Sequence, residues 1–398
     1  MANKNLTSYQ KNLKILPWVA ACTSFEALFP FFVIYEKSCG LSYFQIFITQ
    51  VVFALSVILL DIPLGVMADI YGRRKLLFIG QIFFCFAISL FFLWPFFSGF
   101  LLGEFFLALS FAARTGVDTS LLFETTKHLG IEESYCEEEG KYQSYARYSE
   151  GLSAVLGGFA ATVSLTMPAF LTWLVSFPAI FLGYFLYEEK LTTDASLSEK
   201  ISSKLKTQIQ LIKNFLLNSK HNFLWIFLYS GTLSAVIINI FWLMQVFFKT
   251  YQVNLVLIGA LSFIYQISSG FVASKSSQFA KHHQLIFWLL PTLLQIMIIA
   301  LGVTNSAWLF PFFFLASITF GIKITFIYNL LHPKVDDNIR AGLMSIDSLS
   351  TRLIFVLIAL PLGWILDNIS LNMGFWFLGI PNLFAIWIVL SGKLKFFN

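Results

Sequence analysis

Charge is what this sequence has least of. Only 12% of its 398 residues are Asp, Glu, Lys or Arg, against roughly a quarter in a soluble domain, so a chain surrounded by water is excluded. Histidine is nearly as scarce. The five residues, His128, His221, His282, His283 and His332, lie outside the long apolar runs, and none sits at ligand spacing from a Cys or Asp. That excludes a buried metal or His-based catalytic centre and leaves the adjacent His282 and His283 as the one place for weak metal binding. The four cysteines, Cys22, Cys39, Cys85 and Cys136, are scattered with no CxxC spacing, which excludes a disulfide framework and a metal knuckle. No cluster of His, Cys or acids stands at catalytic spacing. Neither an enzyme nor a cofactor is expected, and no soluble sensor domain is visible.

Apolar residues fill the space instead: 58% of the chain is hydrophobic and its mean hydropathy is +0.77. A helix needs about 20 mostly apolar residues to cross the hydrocarbon core, because lipid leaves backbone amides no other partner. Twelve such runs are present, numbered here as spans 1 to 12. They cover 13–35, 43–66, 76–95, 99–122, 143–166 and 169–187, then 223–248, 254–274, 284–303, 308–331, 342–365 and 372–391. The first run is too long, and too poor in a small-residue cleavage site, to be a removable signal. The expected fold is an all-α membrane protein with twelve transmembrane helices in two pseudo-symmetric six-helix bundles.

Basic residues set the orientation. With the N-terminus cytoplasmic, 21 of the 26 Lys and Arg fall on the cytoplasmic side, and only Lys37 and Lys249 lie opposite. Arg114, Lys323 and Arg352 lie inside spans. The positive-inside bias therefore places both termini in the cytoplasm, and a bacterial inner membrane is the expected location. Basic loops facing anionic lipid account for the net charge of +5, so membrane lipids are the expected macroscopic partner and nucleic acid is not.

The longest polar stretch follows span 6. It reads as a cytoplasmic linker, 188–222, with a basic amphipathic helix near 199–217 lying on the membrane. It divides the chain into bundles 1–187 and 223–398. A shift of 205 residues superposes Gly65 on Gly270, Ala68 on Ala273, Gly116 on Gly321, Arg147 on Arg352 and Gly158 on Gly363, which supports duplication. Spans 3, 6, 9 and 12 hold no Asp, Glu, Lys or Arg, whereas spans 1, 2, 4, 10 and 11 hold Glu26, Asp61, Glu104, Arg114, Asp118, Lys323, Asp347 and Arg352. A charge at membrane depth costs at least about 2.5 kcal/mol and so faces protein or a wet cavity. Every third helix is accordingly expected to face lipid. A monomer is expected.

The turn "GVMADIYGRRK", 65–75, places one acid and three bases between two apolar runs. Gly65 and Ala68 would admit a neighbouring helix, Asp69 would face a helix N-terminus, and Gly72 would support the reversal. Arg73, Arg74 and Lys75 would hold the turn in the cytoplasm. With its approach, "LLDIPLGVMADIYGRRK" resembles the loop-2/3 signature of the major facilitator superfamily, G-x-x-x-D-x-x-G-R-[KR]. The resemblance implies alternating access, with this turn as a cytoplasmic latch. Asp69 would meet the start of helix 11, Arg73 would meet an acid on helix 4, here Asp118, and Asp61 and Asp347 would have gating roles. The equivalent turn in the second half keeps Gly270 and Ala273 but has Ser274 for the acid, so its latch should be weaker.

"RTGVDTSLLFET", from Arg114, is similar to a segment of some bacterial drug-exporter-like members, but the antiporter glycine pattern is missing from span 5. The resemblance also implies a cavity lined mainly by helices 1, 4, 7 and 10. Glu26, near the middle of span 1, is the first candidate for a proton carrier, because burial favours the neutral carboxyl. Glu104 is the second. Arg114, Lys323 and Arg352 are candidates for holding an anionic solute, since carboxylates and phosphates need charge-assisted bonds. Internal pairing, Arg114 or Lys323 with Asp118 and Arg352 with Asp347 or Asp61, is the alternative. Asn239, Trp242 and Gln266 are possible cavity-lining residues. The expected function is secondary transport of a small organic solute, an anion such as a polycarboxylate metabolite or carboxylate siderophore, coupled to protons; efflux of amphipathic drugs is the alternative.

Overall fold

The computed structural model describes residues 2–189, 202, 203, 206, 210, 223–275, 283–331 and 337–394. The linker helix expected near 199–217 falls almost wholly outside them. In chain order the helices are α1 (Ala2–Thr23), α2 (Phe32–Ser38), α3 (Tyr43–Tyr71), α4 (Arg73–Leu93), α5 (Phe97–Arg114), α6 (Val117–His128) and α7 (Tyr135–Val163). They continue as α8 (Met167–Phe185), α9 (Phe223–Thr250), α10 (Leu255–Ser274), α11 (His283–Val303), α12 (Phe313–Leu331), α13 (Asp337–Asn368) and α14 (Leu371–Leu390). Among the described residues, ten segments are long and apolar enough to cross a membrane. The α1–α2 pair, which shares one apolar run, and α7, whose first turns carry Glu137 to Lys141, complete the twelve in the predicted order.

Two predicted spans are not single helices. Span 1 stops at Thr23 and resumes through the 3-10 turn Phe29–Phe31, leaving 24–28 unwound. Pro30 accounts for the interruption, because an α-helix running through it would leave the Glu26 carbonyl without an N–H and press the proline ring against it. Span 4 stops at Arg114 and restarts at Val117, with Gly116 in the left-handed region at φ 76°. An L side chain adopts that conformation at a cost of about 1–2 kcal/mol, which is why glycine stands there.

The chain forms two compact units. Unit 1 comprises 1–39, 56–205 and 255–263, and unit 2 comprises 40–55, 206–254 and 264–398. The first turns of α3 thus count with the second unit and those of α10 with the first. In unit 1, α1 packs on α7 and α8, and α4 packs on α5 and α8. Leu16, Leu64, Ala68, Leu77, Ala113 and Leu121 form a buried core beneath the 65–75 turn. In unit 2, α9 packs on α13 and α14, and α11 packs on α14.

Glycines set the closest approaches. A Cβ on Gly158 of α7 would stand 3.0 Å from the Leu255 carbonyl oxygen, and one on its repeat partner Gly363 of α13 would stand 2.9 Å from Phe44 Cα. The same position of each repeat therefore receives the backbone at the start of a long helix, once in each unit. Among the described residues nothing would lie within 4 Å of a Cβ at Gly65.

Two helix starts are closed by carboxylates from elsewhere in the chain. The Tyr43 and Phe44 amides donate to Asp367 Oδ1 and Oδ2 at 2.9 and 2.7 Å. The Arg73 and Arg74 amides donate to Glu188 Oε1 and Oε2 at 3.0 and 2.9 Å. Each carboxylate fills two donors that a helix start leaves open and faces the positive end of the dipole. Gly72, at φ 99°, makes room for the second cap, since a Cβ there would lie 2.8 Å from Glu188 Oε2.

Span 7 is the most enclosed: 78% of the apolar window of α9 is buried, against 33–50% for α4, α8, α11 and α14. The helices α3, α10 and α13 are as open as those four, at 33–39%. Exposure alone therefore does not separate spans 3, 6, 9 and 12 from the others.

Candidate functional site

Unit 1 gathers ionisable groups at its two helix breaks. Glu26 lies in the unwound link of span 1, and its own carbonyl accepts the Phe29 amide at 3.1 Å. Backbone groups freed by the break find side-chain partners: the Leu28 amide donates to Thr172 Oγ1 at 3.3 Å, and Ser149 Oγ donates to the Ala21 carbonyl at 2.6 Å. Irregular backbone at membrane depth persists only where it is satisfied in this way. Gly157 seals the link from the α7 side, since a Cβ there would fall 2.3 Å from the Ala27 carbonyl oxygen. The charges that act on Glu26 are Arg114 and Glu150.

Arg114 closes α5 at the second break. Its side chain lies against Gly80 and its guanidinium stands 5.5 Å from the Phe84 ring centre, while its Nε is buried without a hydrogen bond. Asp118 follows across the Gly116 break. Its carboxylate accepts Tyr142 Oη at 2.5 Å and the Thr119 amide at 2.7 Å, and Arg114 acts on it electrostatically. Arg147 Nη1 donates to Glu150 at 2.7 Å. Tyr142 thus holds Asp118 and Arg147 holds Glu150 by hydrogen bonds, while Glu26 is linked to Arg114 and Glu150 through electrostatics alone. Glu104 stands apart, 2% exposed and ten residues before Arg114 on the same helix, which at 1.5 Å per residue is about 15 Å away.

The turn differs from its expected wiring. Arg73 pairs with Glu124 of α6, and with Asp69 at 3.7 Å, rather than with Asp118. Asp118 is turned to Tyr142 instead, because the αL residue at 116 redirects α6. Arg74 donates to the Tyr184 carbonyl at 2.5 Å. Arg73, Glu124, Lys127, His128 and Tyr135 border an open cavity of about 810 Å³. Burial, then Glu139, pushes the Tyr135 phenol up to about 12.

Unit 2 holds a different arrangement on unbroken helices. Lys323 Nζ of α12 lies 3.2 Å from Asp347 Oδ2 of α13, and Asp347 Oδ1 accepts Ser230 Oγ of α9 at 2.5 Å. Within unit 2, Asp347 is thus held by Lys323 and Ser230. Arg352 stands 5.7 Å from the Phe53 ring centre, with its Nε 3.4 Å from Ser348 Oγ. Asn239 is fully buried; its amide donates to the Ala235 carbonyl at 2.8 Å and its Oδ1 is without a hydrogen bond. Trp242 is buried against Phe241, and Gln266 is half-buried on α10. Asp61 is half-buried on α3.

Sequence reasoning missed Glu150, Tyr142, Glu124, Glu188, Asp367 and Ser230. Glu150 alone left a signal, an acid three residues after Arg147 inside an apolar span.

The Major Facilitator Superfamily profile matches residues 19–333. Among solved structures, the nucleoside transporter NupG superposes with a TM-score of 0.75 at 11% identity, covering 98% of this chain and 99% of its own. A POT family transporter in complex with 5-aminolevulinic acid superposes at 0.72 with 12% identity, covering 96% of each chain. A D-xylose-proton symporter does so at 0.68 with 11% identity, again over 96% of each chain. No curated protein sequence matches the chain.

Proposed function

The chain belongs to the major facilitator superfamily, and from that premise we propose that it is a proton-coupled secondary transporter moving a small, carboxylate-bearing organic solute by alternating access. The observation that carries this reading is the position of Glu26: a carboxyl in an unwound transmembrane link, acted on by Arg114 and Glu150. Broken helices in transporters mark ion and substrate sites, since unwound backbone is tolerated where it lines a cavity. In this reading Glu26 carries the proton, Arg114 in unit 1 and Lys323 in unit 2 are each candidates for receiving the solute carboxylate, and Asn239, Trp242 and Gln266 help line the path. The 65–75 turn works as a latch, a bacterial inner membrane holds the monomer, and both termini face the cytoplasm. The fold does not select the solute, because its structural neighbours include transporters named for a nucleoside and for D-xylose.

The test is solute-driven proton movement. Purified protein in proteoliposomes with an internal pH dye, challenged with sets of carboxylates, sugars and amines, should move protons with a carboxylate-bearing solute. Glu26→Gln should abolish that movement while leaving solute exchange intact. Unaltered proton movement in Glu26→Gln refutes the assignment. Inverted and right-side-out vesicles under an imposed pH gradient then separate uptake from export.

A further inference from the structure

The charge on Lys323 is already matched. Its side chain is 5% exposed and rests 3.2 Å from Asp347, whose own side chain is 26% exposed and is held from the other side by Ser230. Among the described residues of the helices packed around the pair, charge is otherwise remote. The stretch Phe223–Phe248 of α9 and all of α14 carry none, α11 brings only His283 at its start, and α12 brings Lys323 alone. On α13 the next charge is Arg352, turned to Phe53 and Ser348. The hydroxyl of Ser350, one turn after Asp347, is a neutral neighbour 2.9 Å from the Asp347 carbonyl.

That balance restricts what can bind. A simple carboxylate drawing Lys323 away would leave the Asp347 carboxylate without its cation and add a second negative charge beside it, the costly arrangement for buried ions. A simple amine taking Asp347 would strand Lys323 in the same way. A solute bearing both groups strands neither, because its carboxylate takes Lys323 while its ammonium takes Asp347. The more exposed member of the pair is the acid, so the ammonium meets its partner first. We propose that the Lys323–Asp347 pair is a binding site for a zwitterion, a molecule with an amine and a carboxylate a few bonds apart. This rests on the carboxylate reading above and narrows it.

The experiment is thermal unfolding of the purified full-length protein with three sets of matched chain length: α- and ω-amino acids, plain carboxylates and plain alkylamines. A ligand that binds the folded form raises the midpoint. Members of the amino-acid set should raise it and the other two sets should not. The double variant Lys323→Met/Asp347→Leu, which leaves no stranded charge, should fold and lose the response or need at least tenfold more ligand. Ser230→Ala, which keeps both ions, should shift half-saturation severalfold and covers the case in which the double variant fails to fold. Stabilisation by the plain carboxylates alone overturns the zwitterion and leaves the carboxylate reading standing. Stabilisation by amines alone, or by no set, overturns both. A parental amino-acid response in the double variant, or in Ser230→Ala if the double variant does not fold, places the site elsewhere and overturns the inference.

Discussion

Unit 1 holds its ions where helices break, and unit 2 holds them where helices run on. In the first, Glu26 sits in a five-residue link and Arg114 and Asp118 flank a left-handed glycine; in the second, Lys323 and Asp347 project from the uninterrupted helices α12 and α13. A shift of 205 residues relates the two halves, and Gly158 and Gly363 still perform the same packing task in each. The scaffold has therefore been kept while the polar chemistry diverged. A break presents backbone groups and leaves a carboxyl free to change partners, which suits a proton. A continuous helix fixes a charged pair in one geometry, which suits recognition.

This contrast is broken most severely by removing half of the unit 2 pair. Asp347→Leu alone, which strands the 5% exposed Lys323, should cost about 3–5 kcal/mol, Lys323→Met less because Asp347 is 26% exposed and keeps Ser230, and the double replacement should come close to the parent. Unfolding midpoints of the three variants check this, and equal losses in all three would mean that the pair is not what stabilises unit 2. Smaller effects are expected at the unit 1 breaks. Gly157→Ala overpacks the Ala27 carbonyl and should cost about 1–3 kcal/mol, with a loss of proton coupling larger than that stability change would produce. Gly116→Ala should cost about 1–2 kcal/mol through its left-handed backbone alone, and Gly116→Asn should cost less.

The two carboxylate caps sharpen the comparison further, because they are one device used in both units. Asp367→Ala and Glu188→Ala should each cost about 0.5–2 kcal/mol, read as faster amide hydrogen exchange in the first turns of α3 and α4 respectively. Exchange that changes in only one helix would show that the device is not shared. The smallest effect is at Lys141, whose bonds to Glu138 and Glu137 hold its ammonium up to about 12. A raised amine contributes stability below its ordinary range near 10.5 and loses it as pH rises through 12. Being exposed, it should matter little: Lys141→Ala should leave the midpoint unchanged between about pH 6 and 9.

Much of this architecture was legible in the sequence because lipid imposes a simple rule on composition. Twelve apolar runs, a central polar linker and the absence of charge from spans 3, 6, 9 and 12 needed no tertiary information. The breaks were half legible: Pro30, Gly116 and the polar stretch around Gly116 are visible in the sequence, but hydropathy does not register a change of backbone conformation. Partners were the least legible. Arg73 finds Glu124 rather than Asp118 because the αL residue rotates α6 relative to α5. Asp367 reaches Tyr43 over a separation of 324 residues, and no local pattern encodes that. Asp347 and Lys323 lie 24 residues apart on different helices, so their pairing left no local pattern either.

The most direct measurement compares proton movement with solute binding in Glu26→Gln and in Lys323→Met/Asp347→Leu, using the same amino-acid set and the same proteoliposomes. The account predicts that the first variant still binds the solute but moves no protons, and that the second does neither. Solute-driven proton movement persisting in Glu26→Gln at the parental rate would contradict it.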